Sequence, residues 1–408
     1  AKTMFCDVNT SVNYMLSPVL SIPLCYDVPE NKDNLEVLQE AYGQEQGSEI
    51  NKQITSNPKD FILDERPLVR NIALRRFESI NSSKKTVGPV ACALADIYDS
   101  VDGFQWVRQS PGWVLTERHC PLESWTGIST IPNPNPLQPR IITSVKLIGN
   151  GLNGQLSSVL SPLGKLDVKD KNKLSEINVS SNQLKGPLLD RDIAQLPSMV
   201  IFCAAFNEIT GTLNGEILGE YWKRLVVLSL QSNQLTGSIP SFSSSCCPNL
   251  RILHLYSNNF ENEIPNTLGE LSNLEEIRFW SNHLTGHLPK SLCKLKKLKV
   301  LHLAGNNLTG NIPNEIDEME SLEYLYLNDN EMSGNIPINS LIKLSKLKTC
   351  ALRNNKFNQF EEFEIKMSEI NSSISFSSSE VDETISSGVF ELENEEFRGA
   401  SLARVSNP

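Results

Sequence analysis

Apolar and polar residues follow one repeating pattern along most of the chain. Five segments superimpose on L-x-x-L-x-L-x-x-N followed by x-L-x-G-x-I-P, with exchanges at some positions, and they begin at Leu225, Leu250, Leu274, Leu298 and Leu322. Weaker copies begin at Ile142, Leu174, Met199 and Leu347. The L-x-L alternation predicts a short strand with one face directed inward.

An asparagine marks the end of each predicted strand. These marker asparagines are Asn150, Asn182, Asn207, Asn233, Asn258, Asn282, Asn306, Asn330 and Asn355. The first two are 32 residues apart and the others follow every 24–26 residues. The longer first step predicts an inserted surface loop before Leu174. An inward amide can pair with backbone groups of the turn that would otherwise be buried without partners. One unit cannot close a core alone. We therefore expect a stack of parallel strands about 4.8 Å apart, with irregular or short helical turns on the convex side.

This pattern resembles the plant-type leucine-rich repeat, LxxLxLxxNxLxGxIP, over residues 142–357. The resemblance implies a leucine-rich-repeat solenoid of the α/β horseshoe class, rich in β-structure, with about nine parallel-strand repeats. Residues 90–141 look like the helical N-terminal cap of the same family, with a tryptophan-rich turn and Cys-x4-Trp-x-Gly-Ile. The family cap carries a second cysteine where this chain has Thr130, and Cys92 with Cys120 is the expected replacement pair.

The resemblance divides the chain into four parts. Residues 1–89 form an N-terminal extension of unknown role, predicted to be partly helical, and residues 90–141 form the cap. The solenoid covers residues 142–358. Residues 359–408 form an acidic tail rich in serine and glutamate, with eleven acids and three bases.

Charge and hydropathy exclude several function classes. The net charge is −11 and the isoelectric point is about 5.1, which argues against a nucleic acid or an anionic membrane as partner. No stretch reaches the roughly 18 apolar residues of a membrane-spanning helix. The best candidate, residues 14–25, is short and contains Pro18 and Pro23.

Cysteines and glycosylation motifs bear on the compartment. Cys247 and Cys350 occupy leucine positions of the repeat, so we expect them in the core. Cys6 with Cys25 is a second possible disulfide beside Cys92–Cys120. Asn-x-Ser/Thr motifs place possible glycans at Asn9, Asn81, Asn178, Asn307 and Asn371. These features favour an extracytoplasmic protein, secreted or at the cell surface; an organellar or complex-bound protein is the alternative.

Motifs that could carry catalysis have a simpler explanation in the repeat. Gly149, Gly151 and Gly154 fit the dinucleotide motif G-x-G-x-x-G, but Asn150 and Gly154 are repeat positions and no helix pattern follows. His283 and His287 fall in a repeat turn without a carboxylate at metal-ligand spacing. No Ser-His-Asp or Cys-His pair occupies matching repeat positions. The sequence therefore predicts a protein that is not an enzyme and needs no cofactor or metal.

The outward strand positions are the informative ones, because the core does not require them. Seven of these residues are predicted to form one continuous concave patch: His254, Tyr256, Arg278, Trp280, His302, Tyr324 and Tyr326. Exposed Trp, Tyr and Arg often anchor binding. The alternative is that the rings stack only to stabilise the sheet. We also expect partner binding to change between about pH 5 and 7 as the two histidines titrate.

These observations predict a recognition protein. Its concave face would bind a protein or peptide, as in the receptor ectodomains and cell-wall-enzyme inhibitors that the resemblance implies as relatives. Glu276 and Glu323 lie at the patch and could orient Arg278 or contact a basic partner. The alternative is a structural or accessory subunit of a large assembly, docked through the N-terminal extension and the acidic tail.

Overall fold

The computed structural model describes residues 89–101, 103, 106, 125–134 and 140–370. The predicted N-terminal extension lies outside this range except for residue 89. Of the predicted acidic tail, only residues 359–370 lie within it.

Short strands occupy each repeat. In chain order they are β1 (Ile128–Ile131), β2 (Ile141–Lys146), β3 (Asn153–Gln155), β4 (Glu176–Asn178), β5 (Gln183–Pro187), β6 (Ile201–Cys203), β7 (Glu208–Gly211), β8 (Val227–Ser229), β9 (Gln234–Ser238), β10 (Ile252–His254), β11 (Asn259–Glu263), β12 (Glu276–Arg278), β13 (His283–Thr285), β14 (Val300–His302), β15 (Tyr324–Tyr326), β16 (Ser333–Asn335), β17 (Thr349–Ala351) and β18 (Lys356–Asn358).

Helices and helical turns connect the strands. The α-helices are α1 (Pro89–Ser100), α2 (Leu156–Gly164), α3 (Val168–Lys171), α4 (Asp190–Ala194), α5 (Gly215–Tyr221), α6 (Ile338–Leu341) and α7 (Phe360–Ile370). Three 3₁₀ helices, Asn266–Glu270, Lys290–Lys294 and Asn314–Glu318, occupy the same place in the later repeats. The predicted surface loop before Leu174 contains α3, one turn of helix.

The main sheet confirms the predicted stack of nine parallel strands. Its order is β1-β2-β4-β6-β8-β10-β12-β14-β15-β17, and every pair from β2 onward is parallel. Strand β1 closes the N-terminal edge and pairs antiparallel with β2. Each parallel strand aligns with the same repeat position of its neighbour, so one position forms a column that runs across the sheet.

A second sheet was not expected. The segments after the marker asparagines pair as a six-stranded sheet, β13-β11-β9-β7-β5-β3, and β16 pairs with β18. The sequence predicts short helical or irregular turns on the convex side, and it predicts that Ile-Pro forms an extended segment that cannot continue a ladder. Between the marker asparagines and that segment, however, three to five residues of most repeats have free backbone donors and acceptors, and they pair with the adjacent repeats.

The marker asparagines hold consecutive repeats together, as the sequence predicts. Asn282 is representative: its Oδ1 accepts a hydrogen bond from the Phe260 amide at 3.0 Å, and its Nδ2 donates to the Leu255 and Phe279 carbonyls at 3.1 and 2.9 Å. The same backward bond to the preceding repeat recurs at Asn182, Asn207, Asn233, Asn258, Asn306, Asn330 and Asn355. We call this series the asparagine ladder.

The residue before each marker asparagine adopts a left-handed backbone conformation. The positive φ angles lie at Gly149, Ser181, Phe206, Ser232, Ser257, Ser281, Gly305, Asp329 and Asn354. Glycine, asparagine and aspartate tolerate this region well, whereas a bulky residue is strained there. Phe206, at φ 53°, is the exceptional residue of the series.

One core runs through the stack and is closed by the cap. Leucines of the repeats pack with Val90, Leu94, Ile97 and Trp125 of the cap region in a single buried cluster. The Trp106 indole donates from Nε1 to the Val101 carbonyl at 3.1 Å at the end of α1. Where the family cap has cysteine, Thr130 accepts a hydrogen bond at Oγ1 from Arg140 Nε at 2.8 Å.

Candidate partner-binding face

Side chains of the main sheet alternate between the core and the opposite side, which we call the sheet face. Leu253, Ile277 and Leu301 are buried in the core. Their neighbours on the same strands form a column on the sheet face, in which His254, Arg278, His302 and Tyr326 align in register across β10, β12, β14 and β15. The sequence-predicted patch is therefore brought together.

Five aromatic rings form a continuous chain on this face. Tyr256 stacks on Trp280 with ring centroids 4.4 Å apart and an interplanar angle of 12°. His302 lies 5.6 Å from Trp280 and 4.5 Å from Tyr326, and His254 lies 6.3 Å from Tyr256. Strand spacing explains the chain, because neighbouring strands about 4.8 Å apart place rings of one column at stacking distance.

The stacking buries much of the patch and corrects the expectation that all seven residues are exposed. His254, Tyr256, Arg278 and His302 retain only 4%, 5%, 7% and 5% of their accessible surface. Trp280, Tyr324 and Tyr326 remain partly exposed. A partner that contacts this face therefore meets three aromatic side chains directly, and these are supported by three buried aromatic rings and the buried Arg278.

A carboxylate lies at the centre of the face. Glu276 Oε2 accepts hydrogen bonds from Arg278 Nε at 3.0 Å and from His254 Nε2 at 3.1 Å. Glu276 therefore orients the guanidinium, as the sequence predicts. Burial would raise the pKa of Glu276, but the hydrogen bonds from His254 and Arg278 and the charge of Arg278 outweigh it and hold that pKa well below its usual range.

The two histidines do not fit the predicted titration between pH 5 and 7. Burial, followed by the charge of Arg278, lowers the pKa of His302 to about 3. Burial also lowers the pKa of His254, although Glu276 opposes the shift. Both histidines are thus stabilised in the neutral form. The predicted titration between pH 5 and 7 is therefore wrong for His302, and for His254 the titration is shifted to lower pH.

An apolar cluster beside the rings was missed by the sequence analysis. Cys203, Val227 and Ile252 are buried together on the sheet face, separately from the main core, and Ile201 and Val226 pack against them. The signal is present in the third strand position, where Ile201, Val227 and Ile252 align in register. These side chains are apolar at a strand position that the main core does not use.

Alternating charges border the face at the second strand position. Glu275 pairs with Arg251 at 2.6 Å and with Lys299 at 3.1 Å, and Glu323 pairs with Lys348 at 2.5 Å. Each carboxylate thus has a basic partner on an adjacent repeat. The border is neutralised internally, so the apolar and aromatic surfaces dominate the face.

A family model of the leucine-rich repeat region matches residues 203–375. This range begins at the end of β6 and includes strands β7–β18. Residues 203–375 are a leucine-rich repeat region. Together with the parallel stack, this establishes a leucine-rich-repeat solenoid fold.

Solved plant structures are similar to parts of the solenoid. The plant peptide hormone receptor RGFR1, in complex with RGF2, aligns at 25% identity with a TM-score of 0.44, over 52% of this chain and 36% of that chain. The Arabidopsis receptor kinase HAESA, in complex with the peptide hormone IDA and the co-receptor SERK1, aligns at 30% identity and a TM-score of 0.42, over 45% and 30%. A plant ice-binding protein aligns at 23% identity and a TM-score of 0.49, over 65% and 86%. The chain thus spans about a third of the length of the two receptors.

The remaining predicted sites have different outcomes. Each possible disulfide, Cys6–Cys25 or Cys92–Cys120, includes at least one cysteine outside the described residues. Asn9, Asn81 and Asn371 also lie outside them. Asn307 is exposed. Asn178 keeps 7% of its surface, and its Oδ1 accepts from the Ser180 amide at 3.1 Å. This burial conflicts with the predicted glycan at Asn178.

Metal ligands, membrane-spanning helices and the two core cysteines are the remaining features of the solenoid. Among the described residues, no three His, Cys, Asp or Glu side chains converge as metal ligands would. No helix within the same ranges has the length and apolar character needed to cross a bilayer. Cys247 and Cys350 are buried in the core, which confirms the sequence prediction for both.

Proposed function

We propose that the sheet face of the solenoid binds a protein or peptide partner, and that this binding is non-catalytic. The observation that carries the proposal is the chain of five rings at outward positions that no repeat requires. Trp280, Tyr324 and Tyr326 offer large apolar areas with a polar atom each, which is the chemistry of binding anchors.

The partner segment is expected to be extended and rich in apolar or aromatic side chains. The apolar cluster around Val227 adjoins the ring chain, so a segment that crosses the strands would contact the rings and the partly exposed Ile201 and Val226 at the edge of the cluster. The border charges are already paired within the protein. Binding should therefore depend weakly on salt, because few unpaired charges would be neutralised.

Rigidity supports the same proposal. The asparagine ladder fixes each repeat to the previous one through buried hydrogen bonds, so the face loses little conformational entropy when a partner binds. We place this role outside the cytoplasm, in a receptor-like or inhibitor-like protein, in keeping with the exposed glycosylation motif at Asn307.

A displayed library of random peptides would test the proposal. Peptides selected on the purified protein should bind Trp280→Ala at least about tenfold more weakly than the parent protein, a loss of about 1.4 kcal/mol. Tyr326→Ala should weaken the same peptides by a smaller factor. The measurement is the Kd by biolayer interferometry, repeated at low and high salt.

Tyr221→Ala is the matched control, because Tyr221 is a partly exposed tyrosine on helix α5 of the helical side. The selected peptides should bind Tyr221→Ala with the same Kd as the parent protein. If Trp280→Ala leaves the Kd of the selected peptides unchanged and Tyr221→Ala raises it, the sheet face is not the binding surface. Thermal unfolding of each variant separates lost binding from lost fold.

A further inference from the structure

Two adjacent cysteines lie together on the helical side of the solenoid, away from the sheet face. Cys246 and Cys247 fall in the loop that joins β9 to β10, and their Sγ atoms are 3.8 Å apart. Cys247 is fully buried in the main core, whereas Cys246 is partly exposed. One thiol is therefore within reach of a small solute, and the second is directly beside it.

The surrounding backbone holds the two thiols in place. The amides of Cys246 and Cys247 both donate to the Ser243 carbonyl, at 3.0 and 3.1 Å. Cys246 Sγ lies 3.1 Å from the Gly215 carbonyl oxygen at the start of α5. It also packs so closely on Gly219 of that helix that a Cβ at this position would collide with the sulfur.

The electrostatics distinguish Cys246 from the other described thiols. The hydrogen bond from the Cys247 thiol outweighs burial and lowers the pKa of Cys246 to about 7. Burial raises the pKa of Cys203 and Cys350 to about 12. A thiolate is the reactive form of cysteine, so Cys246 is a nucleophile near neutral pH and the two buried thiols are inert.

We propose that Cys246 and Cys247 form a modification site for hydrogen peroxide, at which oxidation closes a reversible disulfide between the two adjacent residues. The Cys246 thiolate attacks one peroxide oxygen, the O–O bond breaks, and Cys246 becomes a sulfenic acid while the second oxygen leaves as water after taking a proton. The Cys247 sulfur then attacks the Cys246 sulfur, and the sulfenic hydroxyl leaves as a second water with the Cys247 proton. Two thiols are oxidised and one peroxide is reduced to two waters.

The geometry indicates that this disulfide is easily reduced again. Consecutive Cα atoms lie about 3.8 Å apart, whereas disulfides usually join Cα atoms about 4.4–6.8 Å apart. A bridge between neighbours is therefore strained, and strained bridges are the labile ones. Closure also draws the Cys247 sulfur away from the leucine position that it fills in the core.

Mass spectrometry of the full chain after hydrogen peroxide treatment tests the proposal. Trypsin releases residues 225–251 as one peptide, which contains Cys246 and Cys247 and no other cysteine. After oxidation this peptide should resist N-ethylmaleimide and be lighter by about 2 Da, the mass of two hydrogen atoms. Mild dithiothreitol should restore alkylation. Cys203 and Cys350 should be oxidised at least about tenfold more slowly.

Two variants assign the roles. In Cys247→Ala the Cys246 sulfenic acid has no resolving thiol and should be trapped by dimedone, whereas in Cys246→Ala the Cys247 thiol should stay reduced. A parent peptide that remains fully alkylatable after peroxide would overturn the proposal. Equal dimedone trapping in both variants, or a disulfide that links two chains through this peptide, would overturn it as well.

Discussion

The interior and the sheet face of this solenoid are built from the same strands but follow opposite rules. Inside, one residue type recurs: each marker asparagine from Asn182 to Asn355 binds the backbone of the preceding repeat with nearly the same geometry. Outside, the corresponding column reads Ser229, His254, Arg278, His302 and Tyr326, with a different chemistry on nearly every strand.

This difference separates stability from recognition. Backbone donors and acceptors are identical in every repeat, so a single residue type can satisfy them all. A partner is not periodic at the spacing of the strands, so the residues that contact it need not repeat. Variation at the outward positions therefore agrees with the proposed binding surface, whereas departure from the repeat at an inward position lowers stability.

The largest effect is expected from the interior. Asn282→Ala removes the partner of the Phe260 amide and one of the two asparagine donors to each of the Leu255 and Phe279 carbonyls. We expect the free energy of unfolding to fall by about 2–3 kcal/mol, because the buried amide is left unpaired and two further hydrogen bonds are lost. Urea unfolding followed by circular dichroism measures the loss.

Asn335→Ala is the control for this change, since Asn335 is an exposed asparagine outside the ladder. Its expected cost is below about 0.5 kcal/mol. Similar losses for both variants would show that the ladder has no special role, and the contrast between the interior and the sheet face would fail.

A smaller effect, with a defined pH dependence, is expected from the sheet face. His302 has a pKa of about 3 in the folded protein, against about 6.5 when unfolded. The unfolded chain therefore binds the proton first, and the stability contributed by neutral His302 is complete above pH 6.5 and lost as pH falls towards 3. The slope for this histidine approaches about 1.4 kcal/mol per pH unit within that window.

His302→Phe should remove this part of the pH dependence and keep the ring chain between Trp280 and Tyr326. Unfolding free energies at several values between pH 7 and pH 4 measure the change. His283→Phe is the control, because His283 is exposed on β13, and it should leave the slope as it is. If the pH dependence of the unfolding free energy is the same in His302→Phe as in the parent protein, the His302 ring is solvated in the folded protein.

The smallest effect concerns the left-handed position before the marker asparagine. Phe206 occupies this position at φ 53°, where other repeats have Asp329 or Asn354. Phe206→Asn should be more stable than Phe206→Ala by about 0.5–1 kcal/mol, because both remove the ring and only asparagine tolerates the conformation. Differential scanning calorimetry of the pair measures the difference. Equal melting temperatures for Phe206→Asn and Phe206→Ala would mean that the left-handed backbone at residue 206 is not strained.

The periodic features could be predicted from the sequence because one spacing determines them. The nine parallel strands, the role of the marker asparagines and the core positions of Cys247 and Cys350 all follow from aligning the repeats. Helix α1 follows from the need to cover the first repeat. In each case a local pattern decides the outcome.

The other features depend on neighbours that the sequence does not place. The burial of His302 arises from the rings of Trp280 and Tyr326 on adjacent repeats, and His254 packs against Tyr256 and Glu276, so a periodicity that identifies outward positions overestimates their exposure. The same burial lowers the pKa of both histidines, to about 3 for His302. The second sheet requires pairing between segments of different repeats, and the Cys246–Gly219 contact joins the loop after β9 to helix α5 of the preceding repeat.

The ladder bonds also give the solenoid a direction. Every ladder amide reaches back to the repeat before it, from Asn182 towards Leu152 through to Asn355 towards Met332. A chain that leaves the ribosome N-terminus first therefore completes each coil only when the next coil emerges. The most recent coil is always the unfinished one, so during synthesis the exposed backbone is confined to a single moving end.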